Sequence, residues 1–110
     1  QQGRVLAQYH LGGMYLHGKG VEENVKKALQ LYHVAAERGW ADAQFNLGGM
    51  YRRGLGVAKS EIEAARWYRL AAEQGHGLSQ CILGVMYEQG LGVKKNDTEA
   101  ARWYRLTTEQ

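Results

Sequence analysis

Apolar residues recur along the chain at spacings of three and four, in short stripes that a glycine loop interrupts and that then resume. Ala43, Leu47, Met50 and Tyr51 fall on one side of a helix, which predicts a helix over Ala41 to Arg53. Past the loop, Ala64, Trp67, Tyr68, Ala71 and Ala72 repeat the spacing and predict a second helix. Ser60 stands before it with Glu63 three residues on, the pattern of a capping box, and Asn96 with Glu99 repeats that pattern. Asn24 keeps the cap residue but Lys27 replaces the acidic partner, so this helix start is expected to be the least firmly fixed.

The same pattern returns every 36 residues. Aligning 3–38, 39–74 and 75–110 stacks Leu11/Leu47/Leu83, Gly12/Gly48/Gly84, Met14/Met50/Met86 and Tyr32/Tyr68/Tyr104 into columns. The three segments are therefore expected to form one repeat domain, each unit burying its apolar face against its neighbours. The fold class predicted is all-α, a solenoid of three helix-turn-helix repeats with six helices and no strand.

Gly54 is placed for a left-handed C-terminal cap and Gly56 for the tight return, with Val57 folding under them. Gly48 and Ala64 lie inside helices, where a small residue is wanted at a close helix crossing. Glu63 with Arg66, and Arg69 with Glu73, are spaced to pair along a solvated face. Trp67 and Trp103 are expected in the core, with Leu31 in their place in the first unit.

Composition changes this picture little. Hydrophobic residues make up 45% of the 110, enough for a continuous core, and the net charge of +3 is spread without a run of Lys and Arg. Nucleic acid is accordingly not expected as a partner. No stretch reaches the length of a membrane span. The single Cys81 excludes an internal disulfide and a cysteine metal site. The chain begins at Gln1 without a methionine, as a trimmed or processed product would.

Catalytic chemistry finds no foothold. GLGVAKS (Gly54 to Ser60) lacks the second glycine and the preceding strand of a phosphate loop. His10 and His17 are seven apart, where helical metal ligands prefer three or four. His33 and His76 have no acid or thiol near them in sequence. No catalytic residue, metal or cofactor is expected, and the chain is not read as an enzyme.

AxAQFNLGGMYRRGLGV (Ala41 to Val57) and EAARWYRLAAEQG (Glu63 to Gly75) resemble the Sel-one-like repeat family, relatives of the tetratricopeptide repeats, across essentially the whole chain. The family often carries proline after the GxGV valine, where this chain has Glu22, Ala58 and Lys94. Members with a disulfide in each unit are not matched by one cysteine. The resemblance implies a right-handed superhelix whose first helices line a concave groove, and an adaptor role holding proteins together. The bacterial envelope and the cytoplasm are both compatible with it.

If Ala43, Leu47 and Tyr51 face the partner helix, the opposite side of the first helices forms the groove. Its candidate ligand-binding residues are Tyr9, His10, Leu16 and His17 in the first unit, and Phe45, Asn46, Gly49, Arg52 and Arg53 in the second. Leu78, Ile82, Val85 and Glu88 complete it in the third. A protein or peptide carrying an acidic group, with an apolar segment about one unit away, would fit these side chains. The alternative is a self-assembly module that works through its ends. The final helix keeps Trp103, Tyr104 and Leu106 with nothing beyond to cover them, so a sticky C-terminal end, in a piece of a longer array, is expected.

Overall fold

The computed structural model describes residues 2–110, which form six helices and no strand. These are α1 (Gln2–His17), α2 (Val25–Glu37), α3 (Ala41–Arg53), α4 (Glu61–Glu73), α5 (Gly77–Gln89) and α6 (Asp97–Thr108). Each helix packs on the next in sequence, giving three pairs stacked side by side in a body 44 × 28 × 19 Å. Among the described residues no helix is long and apolar enough to cross a membrane.

The loop between paired helices is the same three times. α3 ends at Gly54 with φ 70° and ψ 40°, its N–H donating to the Met50 carbonyl, and the Leu55 N–H reaches that carbonyl too. Gly18, Gly56, Gly90 and Gly92 also hold positive φ, the conformation only glycine enters without strain. The chain then returns, and the Ser60 N–H donates to the carbonyl of Tyr51 at 2.9 Å. Asn24 bonds Tyr15 and Asn96 bonds Tyr87 at the same distance.

These bonds correct the expected capping box. Only half of it forms: Ser60 Oγ accepts from the Glu63 N–H at 3.1 Å, as Asn24 accepts from Lys27 and Asn96 from Glu99 at 3.0 Å. The cap's own N–H is already taken by the tyrosine carbonyl, so the glutamates turn outward and pair with Arg66 at 2.6 Å and Arg102 at 3.3 Å. Lys27 therefore costs the first unit nothing, and its helix start is fixed like the others. Ser60→Ala is expected to lower stability by about 1 kcal/mol, read as a fall of several degrees in the thermal midpoint.

Inside each pair a tyrosine ring lies across a helical glycine. A Cβ on Gly48 would sit 3.0 Å from Cε1 of Tyr68, one on Gly12 3.2 Å from Tyr32, and one on Gly84 2.7 Å from Tyr104. The small residue is needed, as expected, but the space is filled by a ring and not by the approach of two backbones. Between pairs, Ala35, Ala36, Ala43 and Leu47 form one core cluster with Val5. Buried Gln44 and Gln80 sew the pairs together, each donating from Nε2 to the last turn of the preceding helix, at Ala36 and Ala72, at 3.1 Å. Trp103 is buried and Trp67 half-buried, while the Arg69 guanidinium bonds the Tyr87 hydroxyl in place of the expected Glu73.

Two features depart from the expected ends. Trp103 tucks under α5 against Ala72 and Leu83, with Leu106 partly buried beside it, so the C-terminal end exposes no large apolar side chain. Leu11 and Met14 on α1 are exposed.

Candidate functional site

The C-terminal half of α3 forms the floor of a depression of about 460 Å³ between α1 and α5. Leu16 and His17 reach it from the last turn of α1, and Ile82 from α5. Phe45, Asn46, Gly49, Arg52 and Arg53 line it from α3 because they lie opposite the Ala43–Leu47 stripe that the neighbouring helices hold buried. Leu78 and Val85 are not among the lining residues, so the apolar contribution of the third unit to this depression is Ile82 alone. Tyr9 and His10 lie beside it, their rings in edge contact at 5.2 Å. Glu88 is exposed and accepts a 2.8 Å hydrogen bond from Tyr104.

Tyr32, Tyr68 and Met50 also line the depression, and the sequence had assigned all three to packing. Each tyrosine crosses its glycine and delivers its hydroxyl to the far side of the first helix. The Tyr32 oxygen would be 3.3 Å from a Cβ on Gly13, and the Tyr68 oxygen 3.6 Å from one on Gly49. The pairing of the tyrosine column with the glycine column was the available signal. Asn46 is less free than its position in sequence implied, since its Nδ2 donates to the Tyr9 hydroxyl at 3.3 Å.

Burial pushes all three repeat tyrosines up. Tyr32 is raised by burial and by Tyr9, against a hydrogen bond from Asn46. Tyr68 is raised by burial, against the guanidinium charges of Arg52 and Arg53 beside it. Tyr104 is pushed up to about 12, by burial first and then by the hydrogen bond and charge of Glu88. The hydroxyls are thus neutral groups able to donate or accept at neutral pH.

The charge balance in the depression is one-sided. Arg52 and Arg53 line it and no carboxylate does. Neither guanidinium belongs to an ion pair among the described residues. The nearby acids are occupied elsewhere: Glu88 holds Tyr104, and Asp42 bonds Nε2 of His76 at 3.1 Å.

That last contact overturns the expectation that His76 has no acid partner, and His33 departs from it too, its Nδ1 lying 3.5 Å from the Glu37 carboxylate one helical turn on. The fold brings Asp42 from the preceding repeat to one side of the His76 imidazole, while Nδ1 lies 2.8 Å from Ser79 Oγ and accepts from the Ser79 N–H at 3.2 Å. Serine, histidine and aspartate are therefore in line. Ser79 is wholly buried, however, and both of its polar groups are spent on the ring that caps α5. The trio clamps two repeats together, with the His76 ring resting on Phe45 at 5.0 Å. Among the described residues no group of His, Cys, Asp and Glu is arranged to hold a metal ion.

Six helices in three equivalent pairs, with tyrosine-over-glycine packing repeated in each, define an all-α repeat protein of the solenoid class. The Sel1 repeat profile matches residues 5–40, 41–76 and 77–110, and the chain belongs to the Sel1 repeat family. Proteins of this family are generally protein-interaction scaffolds and typically not enzymes. The structure is similar to that of a Sel1 repeat protein from Oxalobacter formigenes, with a TM-score of 0.95 and 45% identity over 98% of this chain and 44% of the other. It is similar to a protective antigen of uropathogenic Escherichia coli strains displaying an SLR fold, at TM-score 0.94 and 41% identity over 99% of this chain and 23% of that one. Cysteine-rich protein B of Helicobacter pylori superposes at TM-score 0.80 with 25% identity, over 96% and 82% of the two chains. The chain thus spans less than half the length of the first two. None of the curated proteins is similar enough to match.

Proposed function

We propose that the chain is a peptide-binding adaptor whose depression on α3 takes an extended segment carrying a carboxylate beside an apolar side chain. The carrying observation is the pair Arg52 and Arg53, which lines the depression without an acid partner. A guanidinium that lacks an internal acid keeps its fork of donors for a carboxylate from outside, and such charge-assisted bonds are among the stronger ones available. Phe45, Leu16 and Ile82 supply the apolar wall. The hydroxyls of Tyr32 and Tyr68 offer neutral hydrogen bonds to a peptide backbone.

Arg53→Ala is expected to weaken binding of an acidic, apolar-flanked peptide by about tenfold, in line with loss of a charged hydrogen bond. Its stability should change by less than about 1 kcal/mol, since Arg53 is exposed and contributes to the fold mainly through the α3 dipole. Asn46→Ala should weaken binding too, with a small stability cost from the Tyr9 contact. Fluorescence anisotropy with a labelled peptide at two salt concentrations is the test. Unaltered affinity in both variants, with Arg66→Ala abolishing it, would place the site on the opposite face.

A further inference from the structure

The second-helix tyrosines occupy equivalent places in the three repeats, yet each hydroxyl has different company. In the third repeat Tyr104 donates to the carboxylate of Glu88 at 2.8 Å. In the first, Tyr32 has Asn46 and Tyr9 beside it, and both carry an oxygen able to accept. In the second, Tyr68 has Arg52 and Arg53 beside it. Arginine carries donors only, so neither can take the Tyr68 proton into a hydrogen bond. Tyr68 is 2% exposed and lines the depression, and among the described residues its hydroxyl donates to no acceptor. A buried donor without an acceptor is costly, and here it is joined by two cationic donors. Glu88 stands in the column of Arg52: where the third repeat supplies its own carboxylate, the second supplies a guanidinium.

Gly49 keeps the place open. A β-carbon on it would lie 3.6 Å from the Tyr68 hydroxyl oxygen and 3.8 Å from Nη2 of Arg53, so both donors border the space that the glycine leaves. In the third repeat Val85 holds this position. Glu88 reaches its tyrosine from the same helix, three residues past Val85, and needs no opening. A group from outside must come in over position 49. Building on the ligand site proposed above, we propose that the ligand's carboxylate sits over Gly49, accepting from the Tyr68 hydroxyl and the Arg53 guanidinium with Arg52 beside it, in the part that Glu88 plays for Tyr104. Tyr68 is then a binding residue as well as a packing one, and Gly49 decides whether an acid can enter.

Two substitutions separate this seat from the depression as a whole. Tyr68→Phe keeps the ring that crosses Gly48 and removes only the hydroxyl. Gly49→Ala adds one methyl at distances of ordinary contact, in a helix interior where alanine is the better residue. The probes are two peptides labelled at the N-terminus: Gly-Leu-Glu-Leu-Gly with an amidated C-terminus, and Gly-Leu-Gln-Leu-Gly with a free one. Both variants are expected to bind about tenfold or more weakly than the parent chain, while Gly49→Ala melts a few degrees higher. Whichever probe the parent binds, a loss in both variants supports the seat, and the probe that binds shows whether the acid comes from a side chain or a chain terminus. Undiminished binding in Tyr68→Phe and Gly49→Ala, with a loss in Arg53→Ala, overturns the seat and leaves the depression as the site. A Gly49→Ala chain that melts below the parent overturns the seat too, since the space would not be open. A parent chain that binds neither probe overturns the seat and the depression together.

Discussion

Gly48→Leu is expected to destabilise the chain by more than about 2 kcal/mol, at the upper end of what overpacking costs. A β-carbon there already meets Cε1, Cδ1 and Cζ of Tyr68 at 3.0, 3.1 and 3.2 Å, and a leucine adds three further carbons in that direction. Tyr68 cannot retreat, because its ring is buried against Ala64, Ala65 and Met86. Leucine has a better helix propensity than glycine by nearly 1 kcal/mol, so the observed loss is the clash less that gain. Chemical denaturation of the single variants and of Gly48→Leu/Tyr68→Leu checks the cause. The cost of Gly48→Leu should shrink sharply once the ring is gone. A cost that is the same in both backgrounds would show that the ring is not what the glycine accommodates.

The column Gly20/Gly56/Gly92 separates conformational from steric demand within one molecule. All three hold positive φ, between 70° and 76°, so alanine at any of them pays about 1–2 kcal/mol for the left-handed conformation. A β-carbon on Gly20 would meet only the flexible end of Met14, at 3.4 Å. On Gly56 it would meet Val25, and on Gly92 it would run into the backbone carbonyl of Glu61, which has no freedom to move without shifting the start of α4. Gly92→Ala is therefore expected to cost at least about 2 kcal/mol more than Gly20→Ala, combining strain with a clash that only backbone movement relieves. Equal thermal midpoints for the two variants would mean that the loop of the third repeat does not press on α4.

The six helices, the bounds of α3 and the glycine turns could be read from the chain because they depend on local spacing that occurs three times. α3 runs over the residues its apolar stripe predicts. What escaped the sequence depends on contacts between units. Gln8, Gln44 and Gln80 form a polar column beside an apolar stripe, and only the stacked neighbour shows that two of them donate to helix-end carbonyls. Asp42 and His76 are 34 residues apart and meet because successive first helices lie side by side. The tyrosine hydroxyls reach the depression because the ring crosses a glycine; the paired columns mark the two residues, but how far the ring extends past the helix depends on how the two helices pack.

The candidate site divides along the same line. Phe45, Asn46, Gly49, Arg52 and Arg53 line the depression because a single helix fixes their relative directions. Leu78 and Val85 do not, because the position of α5 relative to α3 is a matter of packing between units. The end of the stack was misjudged for a related reason: Trp103 looked uncovered in sequence, yet its own partner helix covers it.

Binding of a ligand in the α3 depression can be followed residue by residue through amide NMR shifts during titration with a peptide bearing one carboxylate beside an apolar residue. Perturbations are expected to concentrate at Phe45 to Arg53, with Leu16, His17 and Ile82, and to weaken as salt is raised. Perturbations confined to Ile62 to Leu70 on α4, with Phe45 to Arg53 unmoved, would contradict binding there.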